Sequence, residues 1–208
     1  MTAAPEPTAT WLPLRQQLLQ PWRNGGGSTR EVAIDPLGAT VQGGFRWRVS
    51  IASVAGDGPF SVFPGIDRSL WLLAGAGMDL AAAGCAVRLA RPLQRFDFAG
   101  EAAITATLLD GPTEDLSVMT DRGAVEMRAE ILRLDADERL HRHLPDAQHL
   151  VLAIEGAFAL PGFCGELGER DAVRIDGAAV LDGLAPGAPA ILLFASFAAR
   201  RQVTAVKP

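Results

Sequence analysis

From Phe45 to Val54 the chain alternates, with Trp47, Val49 and Ile51 on one side and Arg48, Ser50 and Ala52 on the other. A period of two over this length predicts a half-buried strand. Short apolar runs of the same character recur at Glu31 to Ile34, Leu70 to Leu73, Met78 to Leu80, Ala86 to Leu89, Arg95 to Phe98 and Ile104 to Leu109. They continue at Val125 to Leu134, Leu150 to Ile154, Phe158 to Leu160, Ala172 to Ile175 and Ala190 to Phe197. Turn formers separate them, among them Asp35-Pro36-Leu37-Gly38, Gly56-Asp57-Gly58-Pro59, Pro64-Gly65, Gly75-Ala76-Gly77, Asp110-Gly111-Pro112 and Asp176-Gly177. Strands spaced about 8–12 residues apart, with few helical patterns, predict an all-β sandwich or barrel. Three stretches read differently: Met1 to Thr10 as a frayed tail, Trp11 to Leu19 as a strand or one helical turn, and Thr113 to Thr120 as the one helical segment.

Displaced on itself by 80 positions, without a gap, the chain matches a second copy of its own pattern. Arg48 falls on Arg128, Ile51 on Ile131, Asp57 on Asp137, Leu70 on Leu150, Leu72 on Leu152 and Leu80 on Leu160. One strand-turn-strand unit has been used twice. Only Thr120-Asp121-Arg122-Gly123 lies between the copies, with no Pro/Ser linker. The halves, 11–122 and 123–208, are therefore expected to pack closely as one bicupin-like body. They differ at polar positions: Ser61 and Phe63 face His141 and His143.

Composition narrows the function classes. With 208 residues, 49% hydrophobic and 21% charged, the chain is long and apolar enough for a sizeable core. The net charge of −5, with Lys207 the one lysine and the arginines scattered, argues against a nucleic-acid partner. No apolar run approaches the roughly 20 residues of a membrane span. The N-terminus has neither the basic start nor the apolar stretch of a signal peptide. Cys85 and Cys164 lack metal or redox spacing and read as buried thiols, so the expected compartment is the reducing cytoplasm.

Several motifs invite chemistry. Gly25-Gly26-Gly27-Ser28-Thr29 lacks the lysine of a phosphate loop and precedes a strand, not a helix. Its glycines instead suit backbone lying close against another surface. Gly75-x-Gly77 is a hairpin turn, and no nucleophile elbow is present. His141, His143 and His149 are all the histidines of the chain, gathered within nine residues, and form the one metal-like cluster. Arg142 and Leu144-Pro145-Asp146 around them, with no Glu at the usual spacing and no later histidine, fit a solvated turn instead. Asp67 and Arg68 point opposite ways on an extended chain. Either both brace the turn, or one joins Arg48 at a cavity, where a guanidinium suits a carboxylate. Asp110 to Met119 reads as a polar excursion of the kind that carries binding groups.

Three stretches together resemble the HutD/Ves family: Trp22-Arg23-Asn24-Gly25-Gly26-Gly27-Ser28-Thr29-Arg30-Glu31, Trp47-Arg48-Val49-Ser50-Ile51-Ala52, and Asp57-Gly58-Pro59-Phe60-Ser61 with Phe63-Pro64-Gly65-Ile66-Asp67-Arg68. The likeness continues through Leu109-Asp110-Gly111-Pro112, Asp115-Leu116 and Val118-Met119. It implies two packed cupin-type β-barrels (double-stranded β-helix, jelly-roll-like) in a bacterial cytoplasmic protein. It also implies a regulatory or metabolite-binding role in histidine utilisation, with a pocket for a small carboxylate. By position, the ligand-binding candidates are Asn24, Thr29, Arg48, Ser50, Ser61, Phe63, Asp67, Arg68, Asp115 and Met119. Ser117 departs from the asparagine usual in the family, and Gly100-Glu101 from its Gly-Asp. Ser61 and Phe63 stand where a metal cupin places paired histidines, so neither metal nor cofactor is expected there. The reading is thus a non-catalytic binder of a carboxylated metabolite, with a homodimer left open. The rivals are an enzyme, metal-dependent through His141, His143 and His149 or metal-free through Asp67, and a stress-linked Ves-like module without ligand.

Overall fold

The computed structural model describes residues 6–82, 84–185 and 187–200, the Cys85 side chain excepted. Expectations for Met1 to Pro5, for Lys207 and for the Cys85 thiol lie outside these residues. The first half supplies strands β1 (Thr8–Leu12), β2 (Leu18–Pro21), β3 (Gly27–Asp35), β4 (Trp47–Val54), β5 (Gly58–Pro59) and β6 (Ile66–Ala74). It continues with β7 (Met78–Ala82), β8 (Cys85–Leu89), β9 (Arg95–Ala99), β10 (Thr105–Leu108) and β11 (Thr113–Asp121). The second half supplies β12 (Val125–Leu134), β13 (Arg139–Leu144), β14 (Gln148–Glu155), β15 (Phe158–Leu160), β16 (Gly165–Leu167), β17 (Ala172–Asp176), β18 (Ala179–Leu184) and β19 (Ala190–Ala199).

These strands make four sheets, ordered β5-β10-β7-β8, β2-β3-β4-β11-β6-β9, β1-β17-β14-β19-β12 and β13-β18-β15-β16. Their apolar faces stack them in that sequence. Val54, Leu70, Met78, Leu80, Leu89 and Ile104 fill the space between the first two sheets. Val151, Val173, Ile175, Phe158, Leu160 and Leu181 do the same for the last two. Between the halves, Trp47, Val49, Ile51, Trp71, Leu116 and Val118 meet Leu150, Leu152, Leu193 and Phe197. Each central sheet is therefore apolar on both faces except where the first half opens a hollow. Each half is a cupin-type β-sandwich whose two sheets stay separate instead of closing into one ladder.

Polar anchors cross the join. Trp47 stacks on Phe197 with centroids 4.2 Å apart, and its Nε1 donates to Gln148 Oε1 at 2.7 Å. Buried Asp35 accepts from Arg46 Nε (2.5 Å), Arg174 Nη2 (2.8 Å) and Gln148 Nε2 (3.0 Å). Burial pushes the Asp35 carboxyl up, and these donors more than offset it, holding it below its ordinary pKa.

The structure corrects three expectations and settles a fourth. Thr113 to Thr120 is not helical and not a loop excursion: β11 runs through it, hydrogen-bonded to β4 on one side and β6 on the other. Thr8 to Thr10 are not a frayed tail, because β1 pairs with β17 and so adds Trp11 and Leu12 to a sheet of the second half. The stretch Trp11 to Leu19 holds both of its readings, ending β1 and then forming a 3₁₀ turn at Leu14–Gln16. Finally, the ungapped repeat fails for one strand. Leu70 faces the first half's own core, whereas Leu150 faces the join. A slip of one residue flips a strand's faces, and the loop after β14 (Gly156-Ala157) is one residue shorter than Gly75-Ala76-Gly77, which restores the match of Leu80 with Leu160.

Candidate functional site

Three rungs of the first half's larger sheet build the site. Across β4, β11 and β6 the register sets Arg48 beside Met119 beside Arg68, then Ser50 beside Ser117 beside Leu70, then Ala52 beside Asp115 beside Leu72. The period of two that sends Trp47, Val49 and Leu116 to the join turns all of these toward the interior of the first sandwich. Of these, Arg48, Ala52, Arg68, Asp115, Ser117 and Met119 join the 20–24 segment, Thr29, Val41, Gln42, Pro59, Phe60, Ser61 and Phe63 in lining a cavity of about 500 Å³.

Each polar group there has a definite state. Arg48 is buried, and its Nε donates to Glu31 Oε2 at 2.9 Å, so a carboxylate of the protein already balances its charge. The Arg68 guanidinium lies over three rings, 4.8 Å from the Phe98 centroid, 5.3 Å from Phe60 and 5.6 Å from Phe63. Such stacking desolvates a cation at low cost. Nη1 of Arg68 donates to the Ser61 carbonyl at 3.2 Å, while its Nε is buried with no partner among the described residues. Burial, reinforced by the neighbouring Arg48 charge and only partly countered by Asp115, pushes its pKa down to about 10. Asp115 is buried without an ion pair among the described residues, and burial outweighs the pull of Arg68 to push its carboxyl up to about 7. The Ser117 hydroxyl is likewise buried and unpartnered. Thr29 Oγ1 accepts from Trp22 Nε1 at 2.8 Å, which fixes the indole as part of the wall.

The glycine run sets that wall's position. A side chain on Gly27 would bring its Cβ to 2.2 Å from the Ser53 carbonyl oxygen, so β3 can hug β4 there only as glycine. Asn24, at the rim, accepts from the Gly26 amide with its Oδ1 at 3.0 Å.

Of the residues singled out in the sequence, Asn24, Thr29, Arg48, Ser61, Phe63, Arg68, Asp115 and Met119 line the cavity. Ser50 points to the same interior and is buried, on the same rung as Ser117, but does not reach the lining. Asp67 stands elsewhere: its carboxylate accepts from Arg122 Nε at 2.7 Å on the outside, where Arg122 also holds Glu101. The bracing role therefore falls to Asp67 and the cavity role to Arg68. Sequence reasoning passed over Trp22, Gln42, Phe60 and Ser117 as lining residues. Reading β11 as a strand would have found Ser117, since Asp115, Ser117 and Met119 then share one face.

The histidines do not converge. On β13, His141 and His143 are exposed, with ring centroids 5.3 Å apart, whereas His149 is buried within the second sandwich and bonds the Pro145 carbonyl through Nε2 at 3.0 Å. Among the described residues no group of three His, Cys, Asp or Glu side chains is placed to hold a metal ion. None of their helices is long and apolar enough to cross a membrane.

Known proteins share this arrangement of strands and sequence. Protein Ves of Citrobacter koseri is 35% identical over 148 residues, 71% of this chain and 73% of its own. A conserved protein of unknown function from Pseudomonas aeruginosa PAO1 is 30% identical with a TM-score of 0.81, over 93% of this chain and 100% of its own. HutD from Pseudomonas fluorescens SBW25, solved in a formate condition, is 29% identical with a TM-score of 0.76 over the same shares. At 10% identity, a cupin 2 conserved barrel domain protein from Leptotrichia buccalis shares the fold alone, with a TM-score of 0.52 over 81% of this chain and 87% of its own. The HutD family model matches residues 15–192, and the chain belongs to that family.

Proposed function

We propose that this HutD-family protein is a non-catalytic cytoplasmic binder of a small carboxylated metabolite of the histidine-degradation class, and that through this binding it moderates histidine utilisation. The observation that carries the reading is one cavity holding Arg48, Arg68 and the unpartnered Ser117 hydroxyl. Buried polar atoms without partners are costly, and a carboxylate satisfies such donors with short charge-assisted bonds. Arg68 and the free Nη groups of Arg48 hold the carboxylate, Ser117 and Thr29 supply further hydrogen bonds, and Phe63 and Met119 wall the space. Membership in the HutD family is what joins the ligand class to histidine utilisation. The non-catalytic reading is supported by Asp67 lying on the outside, bound to Arg122. Calorimetric titration with urocanate, formiminoglutamate and formylglutamate tests the proposal. Saturable heat with at least one supports it; none with any of them up to millimolar concentration refutes the ligand class.

A further inference from the structure

The cavity is not uniformly cationic. Arg48 and Arg68 flank Met119, whereas Asp115 sits four residues back along the same strand, roughly 13 Å at the rise of an extended chain. Ser117 lies between them on the same face. The charged groups around Asp115 can be taken element by element. Arg68 faces it from β6 and Arg48 from β4. Glu31 of β3 is held by Arg48, and Glu114, its chain neighbour on the opposite face, is held by Arg170 at 2.8 Å. Arg23 lies at the rim. With Arg48 offset by Glu31, the interior holds one further guanidinium, Arg68, and one carboxyl, Asp115, which feel each other's charge but form no ion pair among the described residues. A ligand with two carboxylates would leave this space strongly negative, while one with a carboxylate at one end and an N–H group at the other would leave it balanced.

Resting on the carboxylate-binding reading above, we propose that the ligand is bipolar, its carboxylate held by Arg68 and Arg48 and its opposite end, an amidinium, imidazolium or similar N–H donor, held by the Asp115 carboxylate. Asp115 is then the residue that separates this class from plain dicarboxylates of the same length. Its raised pKa, from burial, agrees with a carboxyl that needs an incoming donor or cation to ionise.

The test compares 4-guanidinobutanoate, which carries one carboxylate and a cationic guanidinium, with glutarate, which carries two carboxylates and no N–H on the same three-carbon spacer. Titrations run at pH 7 in two buffers of different ionisation enthalpy, on the wild type and on Asp115→Asn. In the wild type, 4-guanidinobutanoate binds at least tenfold tighter than glutarate. Its binding releases protons to the buffer or exchanges none, whereas glutarate takes protons up. In Asp115→Asn the 4-guanidinobutanoate affinity falls tenfold or more while the glutarate affinity holds or improves, which also shows that the variant is folded. Equal wild-type affinities, or equal losses for both in the variant, overturn the Asp115 assignment and leave the carboxylate reading standing. Absence of binding by both probes, and by those named above, overturns the two together. Should Asp115→Asn not fold, the wild-type affinity ratio and proton count decide the matter alone.

Discussion

The two halves share one scaffold and have opposite interiors. Starting from Arg48 and Arg128, the ladders set Ser117 opposite Phe194, Asp115 opposite Leu192, Met119 opposite Ser196 and Arg68 opposite His149. Where the first half places Asp115 and Ser117 around a hollow, the second places Leu192 and Phe194, and a smaller cavity of about 310 Å³ remains beside Arg128, Glu130, Phe194 and Ser196. Phe158 packs so tightly there that a Cβ on Gly183 would lie 2.2 Å from its ring. Arg128 is open to solvent, while Arg142 reaches over Phe194 with its guanidinium carbon 4.7 Å from the centroid, held by Glu130. Burying polar groups without partners costs stability, and among the described residues both halves carry some of that cost, Arg68 and Ser117 in the first and His149 in the second. The comparison teaches that one scaffold can carry a polar hollow in one copy and large apolar side chains at the matching rungs in the other.

Four measurements can break or sharpen that division. The largest effect is expected where the halves are tied. Asp35→Ala leaves Arg174 buried with only Asp176 to offset it, at a cost of about 3–5 kcal/mol, and thermal melting should show one earlier transition. Two separated transitions would mean that the halves do not depend on each other.

Next comes pH. The folded-state pKa of Asp115, about 7, lies above its ordinary 3.8, so its contribution to stability is fully present below the lower value and is lost as pH rises through the upper. Denaturant titrations of the wild type should lose on the order of 4 kcal/mol across that window, and Asp115→Asn should flatten the loss. A slope unchanged in the variant would place the titration elsewhere. Third, Arg68→Met should weaken carboxylate binding by about 2–4 kcal/mol in calorimetry, whereas His149→Ala, at the matching rung of the second half, should leave affinity unaltered. Equal losses from both would erase the distinction. The smallest effect is the most diagnostic of a binding site. Ser117→Ala removes a buried, unpartnered hydroxyl and should raise the stability of the ligand-free protein by about 1 kcal/mol while weakening binding. A destabilised variant would mean the hydroxyl is bonded after all.

Much of this was legible in the residues, and the failures share one cause. Alternation at Trp47 to Ala52 gave both the strand and its buried face, and adjacency alone separated Asp67 from Arg68. Thr113 to Thr120 was misread because the central strand of a six-stranded sheet is buried on both faces. There Asp115, Ser117 and Thr120 are buried beside Leu116 and Val118, and the usual contrast of wet and dry positions disappears. The histidines looked clustered because sequence distance ignores the turn at Leu144-Pro145, which leaves His141 and His143 on an outer face and carries His149 inside.

By itself the sequence determined an all-β chain, its doubling, its glycine-dependent wall at Gly27 and a cationic character at Arg48 and Arg68, all of them local or periodic properties that neighbouring residues dictate. Only the tertiary structure decided that β1 belongs to the second half, that one strand of the repeat slips by a residue, and that Asp115 and Ser117 share a hollow with the guanidiniums. Those depend on which strands lie side by side, and that pairing is fixed by burial of both faces of the central sheets across distances no window along the chain can span.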